Sequence, residues 1–293
     1  MYNEERKKTY LSQTGDKIAL RQFPNIEPFE ESMGKDLCEM SKEELQRIAD
    51  KTLGVLPTTL LDTMRSVASY RNWCMENGYK VFPLEHPIQL DSTKRIRECM
   101  VASPMHLQTI LDKVFNQPER ETVDCLYRCF LWMAFAGIYD QKDAVGVKTD
   151  EVDLDNLVIR HGGKVYEFER LALPAFRVAC TAESFLYEHP KYKSPIWRKR
   201  LESPYLMRSF RAKQISLRSI HPSIYLRFEE KAPESGVTYN RIFYSGIFYR
   251  AYEMERAGFP PNFDSLLLDI GFNRSKRSSL MRDYAGWKKA FSP

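Results

Sequence analysis

Phe130-Leu131-Trp132-Met133-Ala134-Phe135-Ala136-Gly137-Ile138-Tyr139-Asp140, followed by Val152-Asp153-Leu154-Asp155, carries the strongest structural signal in this chain of 293 residues. Val123, Leu126, Phe130, Leu131, Met133 and Phe135 give residues 119–136 a mostly apolar helical pattern, and that helix is expected at the centre of a core. Just beyond, Leu157-Val158-Ile159-Arg160 and Lys164-Val165-Tyr166-Glu167-Phe168 flank His161-Gly162-Gly163. Two β-prone runs around a Gly-Gly turn read as a β-hairpin.

Outward from this segment the chain reads as helical. Ser41-Lys42-Glu43-Glu44 has the form of a capping box, opening a helix to about residue 51. Leu53 to Pro57 breaks it. Thr58 or Thr59 then caps a helix whose stripe is Leu60, Leu61, Met64, Val67, Ala68 and Trp73, ended by Asn77-Gly78. A weaker amphipathic helix is expected over 26–40. Residues 1–79 thus form a small helical domain, and 80–97, with Pro83, Pro87 and a polar run, form a linker. A second domain follows over 98–293. Ser103-Pro104 starts a helix over 105–115. After the hairpin, residues 171–174 read as a third strand, 174–187 as a helix and 189–205 as a loop. Helices are then expected at 205–217, 221–229 and 237–257. Residues 263–291 read as helix, turn at Gly271-Phe272-Asn273, helix. The fold class is mainly α with a small β-hairpin or sheet, in two domains.

The formal net charge of +5 conceals an asymmetry. Residues 1–97 are neutral, 98–190 carry −6, and 191–293 carry +11. Such asymmetry points to a polyanion, most often nucleic acid. One basic cluster is Lys191, Lys193, Arg198, Lys199, Arg200, Arg208, Arg211, Lys213 and Arg218, interleaved with Tyr192, Trp197, Tyr205 and Phe210 and opposed only by Glu202. Arginines of this kind bind phosphate bidentately, and counterion release drives affinity. A second cluster, Arg274, Lys276 and Arg277 with Arg282, Lys288 and Lys289, begins at a helix start at Asn273 or Ser275. That placement suits phosphate contact or a helix-turn-helix, and equally a basic helix packed on its own domain.

Enzyme and cofactor signatures are missing: there is no GxGxxG, GxxxxGK[ST], HExxH or GxSxG. The six cysteines form no CxxC pair, and none of the five scattered histidines lies at zinc-finger spacing. No cofactor and no metal is expected, and the thiols read as reduced. No apolar run is long enough for a membrane span, and Met1 to Lys8 is charged with no apolar region behind it, so neither membrane nor secretion is expected.

The order of these parts resembles the tyrosine recombinases, or phage integrases. Gly137-Ile138-Tyr139 looks like that family's Gly-Leu-Arg box, and Val152-Asp153-Leu154-Asp155 like the acidic lead into its hairpin. The resemblance implies a helical, SAM-like core-binding domain that clamps one face of DNA, and a second domain with the catalytic centre. It implies a catalytic lysine at Lys164, a clamp arginine at Arg241 and a nucleophile at Tyr284. The departures are pronounced. Tyr139 stands where the first arginine belongs, and Thr238-Tyr239-Asn240-Arg241 has Thr in place of the His of His-x-x-Arg. No His precedes Tyr284 at the family's spacing. Loss of a clamp arginine removes charge-assisted stabilisation of the transition state.

This pattern is similar to the catalytically inactive branch of the fold, the lytic-cycle repressors of temperate phages. The similarity lies in Glu30-Glu31 with Gly34-Lys35-Asp36-Leu37, in Tyr70-Arg71-Asn72-Trp73-Cys74, in Ser245-Gly246-Ile247-Phe248-Tyr249-Arg250, and in Asp283-Tyr284 with Trp287-Lys288. It implies a sequence-specific DNA-binding repressor of lytic genes in the cytoplasm of a bacterial host, with double-stranded DNA as partner and room for a protein co-regulator. Expected DNA contacts are Arg65, Arg71, Lys164, Arg198, Lys199, Arg200, Arg208, Arg211, Lys213, Arg241, Arg274, Lys276 and Arg277. Two alternatives stand beside it: an active, divergent recombinase using Tyr284, Lys164 and Arg241, and a module whose basic face meets an acidic protein.

Overall fold

The computed structural model describes residues 2–52, 56–116, 121–187, 196–269 and 271–291. The expected helix break at Leu53 to Val55, the first residues of the 119–136 helix, and the basic residues Lys191 and Lys193 lie outside the described residues. The chain divides into two compact units, Met1–Ile96 with Ser279–Ser292, and Arg97–Ser278. The C-terminal helix thus groups with the N-terminal unit, where the sequence reading had placed it in the second domain. Among the described residues no helix is long and apolar enough to cross a membrane.

The first unit contains α1 (Glu4–Thr14), α2 (Lys17–Met33), α3 (Lys42–Thr52) and α4 (Pro57–Glu76). Asp16 caps α2, its carboxylate accepting the amides of Ile18 and Ala19. The expected helix at 26–40 is in fact the later half of α2, which carries Pro24 and Pro28 in its interior. Both prolines are exposed, so the carbonyls they orphan can be hydrated while Ala19, Phe23 and Ile26 stay buried on the opposite face. The capping box of α3 forms as expected: the Ser41 amide donates to Glu44 Oε2 at 2.8 Å, and the Glu44 amide donates to Ser41 Oγ at 3.3 Å. Pro57, rather than a threonine cap, opens α4. The core is aromatic. Tyr70 meets Tyr10 and Phe23 edge-on at 5.2 and 5.3 Å. The expected linker is partly tied into this unit, the Phe82 amide donating to the Cys38 carbonyl at 2.8 Å.

The second unit begins within α5 (Thr93–Cys99) and continues through α6 (Pro104–Val114), α7 (Glu121–Ala136) and α8 (Gln141–Gly146). Ser103 caps α6 by accepting the His106 amide at 3.2 Å. α7 is the predicted central helix, with residues 129–136 all buried. Three antiparallel strands follow: β1 (Val152–Asp153), β2 (Val158–His161) and β3 (Lys164–Glu167). The hairpin closes on His161↔Lys164, with Gly162 and Gly163 both at positive φ (59° and 74°), the conformation a two-residue turn of this hand requires. The third strand precedes the hairpin. Residues 171–174, expected to supply it, start α9 (Leu173–Thr181) instead.

The expected helix over 174–187 is therefore shorter. It gives way to β4 (Ser184–Tyr187), which pairs with β5 (Ile196–Lys199) inside the expected loop. The aromatic and aliphatic residues Phe185, Leu186 and Tyr187 are of strand-favouring types, and Phe185 is buried. No helix forms over 205–216; α10 (Leu217–Lys231) starts where that one was expected to end. α11 (Tyr239–Arg256), α12 (Phe263–Asp269) and α13 (Arg277–Phe291) complete the chain. α11 crosses α7 so closely that a Cβ on Gly246 would collide with the Phe135 carbonyl.

Candidate nucleic-acid interface

Lys164 opens β3, and the base of its hairpin is firmly held. Glu151 Oε2 contacts His161 Nδ1 at 2.9 Å, and Arg160 Nη1 meets Asp153 Oδ2 at 2.9 Å. Hydrogen bonds from Asn156, with Arg160 close by, hold the Asp153 carboxyl below the usual carboxylate range. The half-buried Lys164 Nζ lies 3.3 Å from where a Cβ on Gly271 would sit. Gly271 has φ 75°, so both its backbone and the lysine favour glycine there.

A cleft of about 450 Å³ brings Lys164 together with Gly137, Tyr166, Glu167 and Arg250. Arg250 Nη1 donates to the Phe135 carbonyl at 3.0 Å. A Cβ on Gly137 would come within 2.9 Å of its Nη2. Two cations thus line one cleft at the end of α7. Arg250 was absent from the expected contacts. The spacing that marks it is Gly246-x-x-x-Arg250: glycine lets α11 approach α7, and the arginine one turn later reaches the same carbonyl.

Tyr139, at the position of the missing arginine, packs at 4.9 Å against Phe243 and at 4.8 Å, edge-on, against Phe272. An aromatic cluster therefore occupies the place where the resemblance calls for a guanidinium. The nearby Tyr239 hydroxyl donates to the Ile138 carbonyl at 2.7 Å and fixes the start of α11 to this turn.

Arg241 sits one turn into α11, which Thr238 caps by accepting the Arg241 amide at 3.4 Å. Its guanidinium donates to the Gly236 carbonyl and lines a different, largely apolar cleft of about 680 Å³ with Phe130, Ile224, Phe228 and Val237. The lining residues of this cleft include neither Lys164 nor Arg250.

The 198–213 cluster divides into two kinds of residue. Arg198, Lys199, Arg211 and Lys213 are exposed, Arg211 lying over the Phe210 ring at 5.0 Å. Arg200 is buried. It donates to the carbonyls of Ala179, Ala182 and Leu206 at 2.8, 2.9 and 3.0 Å, and burial, with Arg208 nearby, lowers its pKa to about 10. Arg208 Nη1 similarly bridges Thr149, Ser203 and Tyr205. Both arginines thus serve main-chain and hydroxyl oxygens of their own unit, Arg200 buried and Arg208 half-buried.

Arg71 is engaged in the same way. Only 5% exposed, it donates to the carbonyls of Leu37 at 2.6 Å, Met40 at 3.2 Å and Phe82, and so ties α4 to two loops. Arg65 remains exposed, with Asp62 beside it at 3.5 Å. Arg274 and Lys276 are exposed on a 3-10 turn that Asn273 caps, its Oδ1 accepting the Ser275 amide at 3.0 Å. Arg277, exposed at the start of α13, has Asp264 at 3.7 Å. Tyr284 is 5% exposed and stacks on Trp287 at 6.3 Å within the first unit.

Residues 1–76 match the family described as MrpR, N-terminal core-binding domain. Among solved structures the chain is similar to a XerA recombinase, with a TM-score of 0.44 and 11% identity over 100% of this chain and 98% of that one. It is also similar to the Tn1549 transposon integrase in complex with a circular intermediate DNA, with a TM-score of 0.41 and 11% identity over 96% and 93%. No curated protein matches the chain.

Proposed function

We propose that this protein holds double-stranded DNA in a sequence-specific manner without cutting it, and acts as a repressor of a prophage's lytic genes in the bacterial cytoplasm. In this reading 1–79 is the core-binding part, 80–97 the connection and 98–293 the integrase-like part. The single observation that carries it is Tyr139, packed against Phe243 and Phe272 where the resemblance expects an arginine. In-line attack on a phosphodiester places negative charge on the non-bridging oxygens, and in this reading Tyr139 removes one of the cations that would offset it, leaving Lys164 and Arg250 in the neighbouring cleft. The buried ring of Tyr284 supports the same reading.

Binding itself calls only for cations at phosphate spacing. Arg65 on the first unit, and Lys164, Arg198, Lys199, Arg211, Lys213, Arg241, Arg274, Lys276 and Arg277 on the second, are the contacts proposed, with Arg250 added. Phosphate contacts position a protein and base-edge contacts specify the sequence. Footprinting on prophage and host fragments tests the proposal, combined with a nicked suicide substrate. Expected are protected repeats, affinity that falls steeply with salt, and no covalent product. Absence of binding at ~50 mM salt overturns DNA binding. A Tyr284-dependent covalent adduct overturns the non-cleaving reading in favour of a divergent recombinase.

A further inference from the structure

We propose that Cys38 and Cys74 form a peroxide-reactive dithiol that closes to an intramolecular disulfide inside the N-terminal unit. Both residues are fully buried, yet their sulfurs lie within 4.8 Å of each other and of an Asp36 carboxylate oxygen. Two thiols far apart in sequence meet here because Arg71 holds their backbones together. Its Nη1 bridges the Leu37 and Met40 carbonyls, on either side of Cys38, from the same helix face that carries Cys74 one turn later. The ordering entropy of bringing the thiols together is therefore already met in the reduced protein.

Charged and polar groups surround the pair. The Arg6 guanidinium donates to Cys38 Sγ at 3.4 Å and lies 3.5 Å from Asp36 Oδ2. The Tyr70 hydroxyl donates to the same Asp36 oxygen at 3.0 Å, and the buried Lys7–Glu30 pair lies close by, burial raising the Glu30 pKa to about 7. A hydrogen bond from Cys38, helped by Tyr70 and Arg6, lowers the Cys74 pKa, whereas the Cys38 thiol is pushed up. Burial instead pushes up Cys125, Cys129 and Cys180. Two thiols within reach of each other, with an arginine donating to one of them, form an arrangement that reacts with peroxides. Arg6, partly exposed, touches Cys38 and lies over the exposed Tyr79 ring at 4.3 Å, so it is the side chain that connects the pair to the surface.

The chemistry balances with a hydroperoxide as oxidant. The Cys74 thiolate attacks the distal peroxide oxygen, the O–O bond breaks, and its electron pair leaves as alkoxide or hydroxide, which takes up a proton. The Cys38 sulfur then attacks the resulting Cys74 sulfenic acid, the S–O bond breaks, and water leaves with the Cys38 proton. Two thiols and one hydroperoxide become one disulfide, one alcohol (or water) and one water. A cation site is the competing use of these atoms. Asp36, however, already accepts from Asn3, Tyr70 and the Cys38 amide, and Arg6 occupies the place of a metal ion.

Stoichiometric hydrogen peroxide on the full-length protein, followed by denaturing alkylation and peptide mapping, tests the proposal. Expected are a loss of two hydrogens, a Cys38–Cys74 linked peptide, and the other four cysteines alkylated. Cys38→Ser should accumulate a dimedone-reactive sulfenic acid at Cys74, and Cys74→Ser should not form one at Cys38. The wild-type peptide map decides alone if either variant fails to fold. Full alkylation of Cys38 and Cys74 after peroxide overturns the proposal. So does prior oxidation of another cysteine, or zinc that copurifies with wild type and is lost in Cys38→Ser.

Discussion

The Thr58 backbone amide donates to Asp283 Oδ1 at 2.7 Å across 225 residues of sequence, so the C-terminal helix supplies the cap of α4. Pro57 and the amides after it leave the first turn of α4 with donors and no side chain of its own to satisfy them. Asp283 fills that role, and Thr58 Oγ1 donates in return to the Ser279 carbonyl at 3.3 Å. Asp283→Ala should destabilise the first unit by about 1–2 kcal/mol, the usual worth of an N-cap. Asp283→Asn, which keeps an accepting oxygen and removes a carboxylate whose pKa burial raises, should cost less. Denaturant titration checks the order; equal losses would show that the cap bond contributes nothing.

The basic residues should separate by assay. Lys164→Ala, Arg274→Ala and Lys276→Ala should each weaken DNA binding across all sequences and reduce the salt slope by about 0.9 per lost phosphate contact. Arg71→Ala and Arg200→Ala should instead lower the melting temperature. Each strips donors from three carbonyls, at about 1–3 kcal/mol per buried acceptor left without one. Arg71→Ala protein that melts normally but fails to bind DNA would return Arg71 to the interface.

The same division shows what the sequence revealed and what it concealed. Period and turn chemistry made α7, the hairpin and the Ser41 and Ser103 caps legible, since each depends on residues within one turn of each other. The role of an arginine depends on contacts far away. Arg198 and Arg200 look alike in sequence, yet β5 exposes one, and the other lies where it reaches the carbonyls of Ala179, Ala182 and Leu206. The grouping of α13 with the first unit was hidden for the same reason, as its partners Pro57 and Thr58 lie at the far end of the chain. Tyr139 was recognisable as a departure. Only the structure shows that it packs against Phe243 and Phe272.

Gly246→Ala should destabilise the second unit by about 1–3 kcal/mol or more, the range for overpacking. The added methyl meets a helix backbone, the Phe135 carbonyl, which cannot rotate away as a side chain can. The displacement also separates Arg250 from that carbonyl, so DNA affinity should fall with stability. A variant with wild-type melting would show that the helices can part without cost.

Tyr284→Phe should leave both DNA affinity and melting close to wild type, because the ring, stacked on Trp287, is the packed element. Tyr284→Ala should cost about 3–5 kcal/mol through the cavity it opens. A nucleophile predicts the reverse pattern, in which Phe abolishes a covalent product that wild type forms. Thermal melts and suicide-substrate gels on the two variants distinguish these cases.

Acidification should weaken the second unit through His106. Burial lowers its pKa below 6.5, and its Nδ1 accepts the Ala102 amide at 3.1 Å, which only the neutral ring can do. In the window just below pH 6.5 the unfolded chain binds a proton that the folded chain excludes, so stability falls as pH falls. The contribution is at most about 1.4 kcal/mol per pH unit. Denaturant titrations from pH 7.5 to 5.5 should show this slope in wild type. His106→Asn, whose Oδ1 can accept the same amide without titrating, should show a flatter profile. Identical slopes in the two proteins would assign the acid sensitivity to another group.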